Sequence, residues 1–560
     1  MSGPKTFHGT GVSAGTAVGP LVVVSQAPRP PANEQPTTDS AAAIARVGEV
    51  MEAVADGLQA RALKASDSAR PILEAGAMMA RDPGLMSSID AKLQTGTGIT
   101  TAVDSAVEEY CVLLESLGGY MAERVTDLRD VRDRAVARLL GQPEPGVPEL
   151  TEPSVLAAAD LAPAETATLT AQTCLGIITA AGGPTSHTAI LAAQLGIPAV
   201  VQAVGILDVP AGTMVAFDGG VGEITIEPSD ADVELLVERK RRRQAALAGG
   251  TGIGATKDGY PVPLLANIGT VDDAHAAAAQ AVEGVGLFRT EFLFLDRETM
   301  PTVAEQTATY TEVLKAFGER RVVVRTLDAG ADKPLKFADL GPEENPALGR
   351  RGLRLGMIRT DILDAQLEAL ANAYRATGAD LRVMAPMVAT QAEAIWFAER
   401  VRALGIPKVG VMIEIPAAAI RSKGILYNVD FASLGTNDLQ QYTMAADRMQ
   451  GELGELLNPW EPALLDVIAL ACLGGKEMGK PVGVCGEAGG DPGLALVLTG
   501  LGVKSLSMAT GKVPAVRTAL AAHTLETCQQ MAAAARAATS AAEARKVVLE
   551  MAEPVLSDLM

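Results

Sequence analysis

Eight short apolar runs, each separated from the next by a helical pattern, fill the chain from residue 257 onward. They are VPLLANIG (262–269), GVGLFRT (284–290), VVVRTLD (322–328), RVMAPMV (382–388), VGVMIEI (409–415), FASLGTND (431–438), VGVCGE (482–487) and SLSMAT (505–510). Runs so continuous in Val, Ile and Leu suit strands covered on both faces, as in a parallel sheet flanked by helices. Eight such units over about 300 residues predict a (β/α)8 barrel across 257–560. An open doubly wound sheet is the competing arrangement.

The preceding half has another rhythm. Residues 1–24 carry glycines and β-branched runs that read as a small strand and turns. The Gly9–Gly15 spacing is wrong for a dinucleotide fingerprint, so turn glycines are the better reading. After a Pro-rich loop at 27–36, residues 38–141 turn rich in Ala, Glu, Leu and Met with apolar residues at helical spacing. Short strands separated by Gly and Pro return over 154–228. This predicts an α/β domain, 1–24 plus 142–229, interrupted by a helical insertion at 25–141. Residues 230–256 read as a connecting helix and hinge ending at Gly249-Gly250, its basic run lying on a solvated face.

A formal charge of −20 argues against general nucleic-acid binding and favours a basic protein partner. No uninterrupted apolar run of membrane-spanning length occurs, and MSGPKTFHGTGV has no signal-peptide core, so no membrane insertion or export is expected. Five scattered cysteines without a CxxC pair exclude a disulfide framework and suit the reducing cytoplasm.

In a barrel of this kind, chemistry sits at the C-terminal strand ends. Asn267, Arg289, Arg325, Glu414, Asn437, Asp438 and Cys485 all fall there. The two arginines offer planar forks for phosphate or carboxylate oxygens. Glu414 and Asp438 are hard oxygen ligands, a usual protein share of a Mg²⁺ site. Together they imply a small anionic ligand carrying phosphate; the competing reading of Glu414 with an arginine is a structural ion pair.

A second feature lies apart from these. Thr166 to Leu207 contains no Asp, Glu, Lys or Arg, and in its middle stands His187 within GGPTSHTAI. Paired glycines before a helix start leave backbone N–H groups and hydroxyls free to hold an anion. A histidine there can accept phosphate on a ring nitrogen; a capping contact is the plainer alternative.

GGPTSHTAI, GLFRTEFLFLDR, VRTLDAGADKP, EENPALGRRGLR, VMIEIPAAA, SLGTNDLQQYTMAADR and GVCGEAGGDP together resemble the signatures of Enzyme I, the phosphoenolpyruvate–protein phosphotransferase family of the bacterial sugar phosphotransferase system. The resemblance runs from GVSAG near residue 11 to the C-terminus. It implies a swivelling phosphohistidine α/β domain, an inserted helical domain that binds the carrier protein HPr, and a barrel that binds phosphoenolpyruvate and forms a homodimer. His187 matches the phosphoryl acceptor and Thr166 the threonine that contacts it. Arg289, Arg325, Asn437, Asp438 and Arg448 match the substrate-binding set, and Glu414 and Asp438 the Mg²⁺ ligands. Cys485 matches the acid that protonates the enolate carbon, releasing pyruvate. Relatives often carry Arg where this chain has Pro184 and Ala193, which leaves Arg129 or a partner's side chain as the cation near the phosphohistidine. Asp67, Glu74 and Asp82 are the candidate acids for docking HPr.

Two other functions share parts of this pattern. Dikinases have the histidine and barrel motifs but carry a large ATP-binding region upstream, for which the 186 residues before His187 leave little room. A silent phosphoenolpyruvate sensor would need no proton donor, and Cys485 speaks against it.

Overall fold

Strands Thr16–Val23 and Ser154–Ala158 lie side by side and parallel, although the whole helical segment separates them in sequence. The chain therefore leaves the sheet after Val23 and re-enters beside its point of exit. The computed structural model describes residues 5–25, 27–63, 70–117, 125–148, 150, 152–161, 169–170, 172–183, 188–189, 192, 196–249, 252–295, 297–330, 335–338, 341, 343–448 and 450–560. Two compact units emerge, Met1–Glu238 and Arg239–Met560.

In the first unit the sheet order is Lys5–His8, Glu223–Ile226, Met214–Asp218, Thr16–Val23, Ser154–Ala158, Cys174–Thr179, Ala199–Val201 and Thr10–Ser13. The N-terminal segment thus supplies three strands rather than the single one its sequence suggested. The central strands are parallel, and Ser154–Ala158 is buried throughout. The inserted helices Ser40–Ala62, Arg70–Ala80, Pro83–Gln94, Ile99–Leu117 and Val125–Leu140 bury a separate core. Its residues include Val47, Met51, Val54 and Leu58, whose 3–4 spacing puts them on one face of the first helix.

All eight apolar runs of the second half form strands: Leu264–Ile268, Gly284–Arg289, Arg321–Arg325, Leu381–Ala385, Val409–Ile413, Phe431–Leu434, Val482–Val484 and Leu506–Met508. They close as a parallel barrel. Side-chain alternation divides them. Phe288, Val324, Val383 and Val411 pack outward under the helices, while Leu287, Val323, Met384, Met412, Phe431 and Cys485 cluster together. Helix starts at Val271, Val303 and Gln391 are fixed by Thr270, Thr302 and Thr390, each in a capping box with the acid three residues on. By length and composition Leu453–Met478 could cross a membrane, yet Leu464, Leu465, Ile468 and Ala471 of this stretch sit in the barrel core.

The connecting helix spans Asp230–Gly249, as its composition predicts. The boundary between units nevertheless falls at Glu238/Arg239, not at Gly249-Gly250. The second half of the helix belongs to the barrel: Arg243 Nη1 donates to the Leu559 carbonyl at 2.6 Å, Thr518 Oγ1 donates to the Ala246 carbonyl at 2.9 Å, and Leu247 packs on the barrel core.

Candidate active site

Strand register brings the predicted residues to one rim. Arg289 pairs with Arg325, Ile413 with Leu434, and Leu434 with Val484. Glu414 and Cys485 each follow directly on their strands, and Asn437 and Asp438 open the helix Thr436–Met444. Arg325, Glu414, Asp438 and Cys485 are buried, Asn267 and Arg448 half-buried, Arg289 and Asn437 exposed.

Burial disfavours the Arg325 cation, but the Glu291, Asp328 and Glu414 carboxylates more than offset this and hold its proton tightly. Its Nη2 donates to Glu291 Oε1 at 2.9 Å, and its Nη1 lies 3.3 Å from Asp328 Oδ2. Its Nε is buried without a partner, as is the Thr436 hydroxyl oxygen. Orphaned polar atoms of this kind are costly unless a ligand completes them.

Glu414 accepts from the Met387 N–H at 2.6 Å. Met387 holds φ +56°, a left-handed conformation that a bulky residue adopts only under constraint and that aims its N–H at the carboxylate. Burial, Asp438 and Asp328 together push the Glu414 carboxyl up to about 8, against the pull of Arg325 and Met387. Burial likewise pushes the Cys485 thiol up to about 11. Asn267 is set by two bonds: its Nδ2 donates to the Cys485 carbonyl at 3.0 Å and its Oδ1 accepts from Ser507 Oγ at 2.6 Å. Asn437 Oδ1 accepts from the Glu487 N–H at 3.3 Å.

The model described as the PEP-binding domain of PEP-utilising enzymes matches residues 249–525; those described as the N-terminal and mobile domains match 8–124 and 150–222. A phosphoenolpyruvate-protein phosphotransferase of Streptomyces coelicolor is 52% identical over 96% of this chain and 98% of its own length. The chain belongs to the phosphoenolpyruvate-protein phosphotransferase family, Enzyme I. Members from Haloferax volcanii, 40% identical over 80% of this chain and 81% of theirs, and from Geobacillus stearothermophilus, 38% identical over 91% and 92%, extend the similarity. The family thus accounts for both halves, and the (β/α)8 barrel and the helix-interrupted α/β domain are both as expected.

Three side chains that sequence reasoning passed over complete the rim. Glu291 holds Arg325 and accepts from the Asp328 N–H at 3.0 Å. Arg351 forks onto Asp328 at 2.9 and 3.3 Å and reaches Asp438 Oδ1 at 3.1 Å. Asp328 sits between the two arginines. Each lies inside a motif that the family resemblance quoted, but no local pattern sets it apart from its charged neighbours there.

The donor set suits a divalent cation. Among the described residues no three His, Cys, Asp or Glu are arranged to chelate a metal alone. Asp438, however, raises the cost of ionising the buried Glu414, which a cation between them would relieve.

His187 and Thr166 lie outside the described residues, as do Pro184, Ala193 and Asp67. The neighbouring Thr188 is buried and donates to Asp160 Oδ1 at 2.8 Å, two residues past the strand Ser154–Ala158. Arg129 pairs with Glu108, both bonds at 3.1 Å. Asp82 is exposed, but one of its carboxylate oxygens caps the helix Pro83–Gln94 through the Leu85 N–H at 2.7 Å. Glu74 is exposed.

Proposed function

We propose that the chain transfers the phosphoryl group of phosphoenolpyruvate to its own His187 and then to a histidine of the phosphocarrier HPr. The observation that carries this reading is the convergence of Arg289, Arg325, Glu414, Asp438 and a buried thiol on one barrel rim, in a chain of this family. Arg289 and Arg325 hold the phosphate with planar guanidinium forks, aided by Asn437, Asp438 and Arg448. Phosphoryl transfer needs positioning and neutralisation more than covalent help. The enol P–O bond breaks, and a P–N bond forms at the His187 ring nitrogen remote from the backbone, with Thr166 orienting the ring. The enolate left behind takes the Cys485 proton at carbon to give pyruvate, and the thiolate regains a proton from water. A thiol pushed up to about 11 is protonated at neutral pH, as a donor must be. Glu414 and Asp438 would hold Mg²⁺, which supplies positive charge to oxygens that become more negative during transfer.

Residues 1–24 with 142–229 form the phosphohistidine domain, 25–141 the HPr-binding domain and 257–560 the barrel that also carries the homodimer contact, all in the cytoplasm. His187 serves two partners in turn, so the phosphohistidine domain swivels between them during turnover. Labelled phosphoenolpyruvate, with and without HPr, tests the reading. Label should appear on the chain and pass to HPr, and His187→Ala should abolish both; acid-labile labelling undiminished in that variant would overturn the assignment.

A further inference from the structure

We propose that Arg351 is a positioning residue for the metal site: a buried cation that neutralises the ligand carboxylates before the divalent ion arrives and so sets how tightly that ion binds. This rests on the assignment of Glu414 and Asp438 as ligands under Proposed function. Arg351 is 1% exposed, the largest of the fully buried side chains. Its guanidinium forks onto Asp328 and reaches Asp438 Oδ1 at 3.1 Å, an oxygen that Arg448 Nη1 also approaches at 3.7 Å. Asp438, one of the two carboxylates that would hold the ion, is therefore itself paired with arginine. The charge balance points the same way. Glu291, Asp328, Glu414 and Asp438 are four buried carboxylates facing two buried guanidiniums, Arg325 and Arg351.

The seat of Arg351 is fixed rather than adaptable. A Cβ on Gly330 would fall 2.5 Å from Arg351 Cβ, and one on Gly352, at φ +59°, would fall 3.2 Å from Asp328 Oδ1. Only glycine permits so close an approach on either side. With its base seated this closely and its guanidinium forked onto Asp328, the charge stays beside the ligand carboxylates.

Two effects of opposite sign follow from removing that charge. The ion-free protein loses stability, because buried carboxylates lose their counter-charge. Affinity for the ion rises, because the site becomes more negative. A merely structural residue would lower both. The test is titration of the full-length chain with Mn²⁺, without phosphoenolpyruvate, following free Mn²⁺ by electron paramagnetic resonance, alongside thermal melts. Arg351→Met should bind Mn²⁺ about tenfold more tightly, melt lower without the ion, and recover most of that loss with it. Arg351→Gln carries the same expectation should the methionine variant not fold. Arg351→Lys, which keeps the charge, should bind within about twofold of the parent. Unchanged or weaker binding in a folded neutral variant, or a tenfold gain with lysine, overturns the proposal. In the unaltered protein the Arg351 Nε–H resonance, assigned by its loss in Arg351→Lys, should move on Mg²⁺ saturation; a static signal also overturns it. Glu414→Gln in the same titration separates the two layers: if that variant binds Mn²⁺ like the parent, the ligand assignment has failed rather than the role of Arg351.

Discussion

Two regions of this molecule bury arginines among acids, and they do so differently. On the helix Val125–Leu140, Arg132 meets Asp133 at 2.8 Å, Asp104 at 3.5 Å and Glu108, while Arg134 meets Asp130 at 2.7 Å and Glu144 at 3.1 Å. Several of those acids reach solvent, and neither arginine leaves a buried nitrogen unpartnered. On the barrel rim the acids are as buried as the arginines, Arg325 keeps an orphan Nε, and Glu414 is pushed up to about 8. A network that satisfies itself needs no ligand. One that leaves charge and donors over at converging strand ends is poised to take up a ligand.

Substitutions in the two networks should behave differently. The largest effect is expected from Glu414→Gln, which removes one ligand charge while keeping shape. Phosphoenolpyruvate-dependent labelling should fall by about 10²–10³, while exchange between His187 and HPr continues; equal loss in both half-reactions of a folded variant would make Glu414 structural. Next comes the thiol. A pKa raised from 9.0 to about 11 means that deprotonation is shifted to higher pH, so at pH 8 Cys485 holds about 10² less thiolate than an unperturbed cysteine. Iodoacetamide, which attacks thiolate, should modify Cys485 at least that much more slowly, as read by peptide mass spectrometry; rapid labelling would contradict its role as a protonated donor. Arg134→Met tests the self-satisfied network. Its partners are partly solvated, so the loss should be about 2 kcal/mol rather than the 3–5 of a fully buried pair. Denaturant unfolding should show it, with phosphoenolpyruvate-driven labelling unchanged below the melt. Gly352→Ala should cost about 1–2 kcal/mol from forcing a side chain into φ +59°, and more to the extent that Met387 cannot give way. A loss confined to stability, with Mn²⁺ affinity intact, would show that this turn supports the loop but not the metal site.

The barrel was legible because its strands are buried on both faces, which forces continuous apolar runs such as Val409–Ile413 and leaves polar residues to stand out where they stop. Arg289, Arg325, Glu414 and Cys485 announce themselves that way. Asp328 and Arg351 do not. Each sits in a loop among other charged residues, and what distinguishes Arg351 from Arg350 is burial, which no local pattern encodes. The unit boundary at Glu238/Arg239 was hidden for a similar reason. The helix is continuous in composition, and only long-range bonds such as Arg243 to Leu559 say which half belongs where. The three N-terminal strands were compressed into one because the order of the sheet depends on partners near residues 200 and 224.

Met387, which aims its N–H at Glu414 from a left-handed backbone, has its side chain closed over Gly352: a Cβ on that glycine would meet Met387 Cγ at 2.9 Å. Positions 352 and 387 are therefore not independent under mutation. Alanine at 352 would collide with methionine at 387, and glycine at 387 would relax the backbone but open a void over 352. The two single changes each cost stability, while Gly352→Ala with Met387→Gly should cost less than their sum, since the new methyl group occupies space the methionine vacates. A lineage could cross from one pair to the other only through a weakened intermediate, so this corner of the fold should change as a pair or not at all.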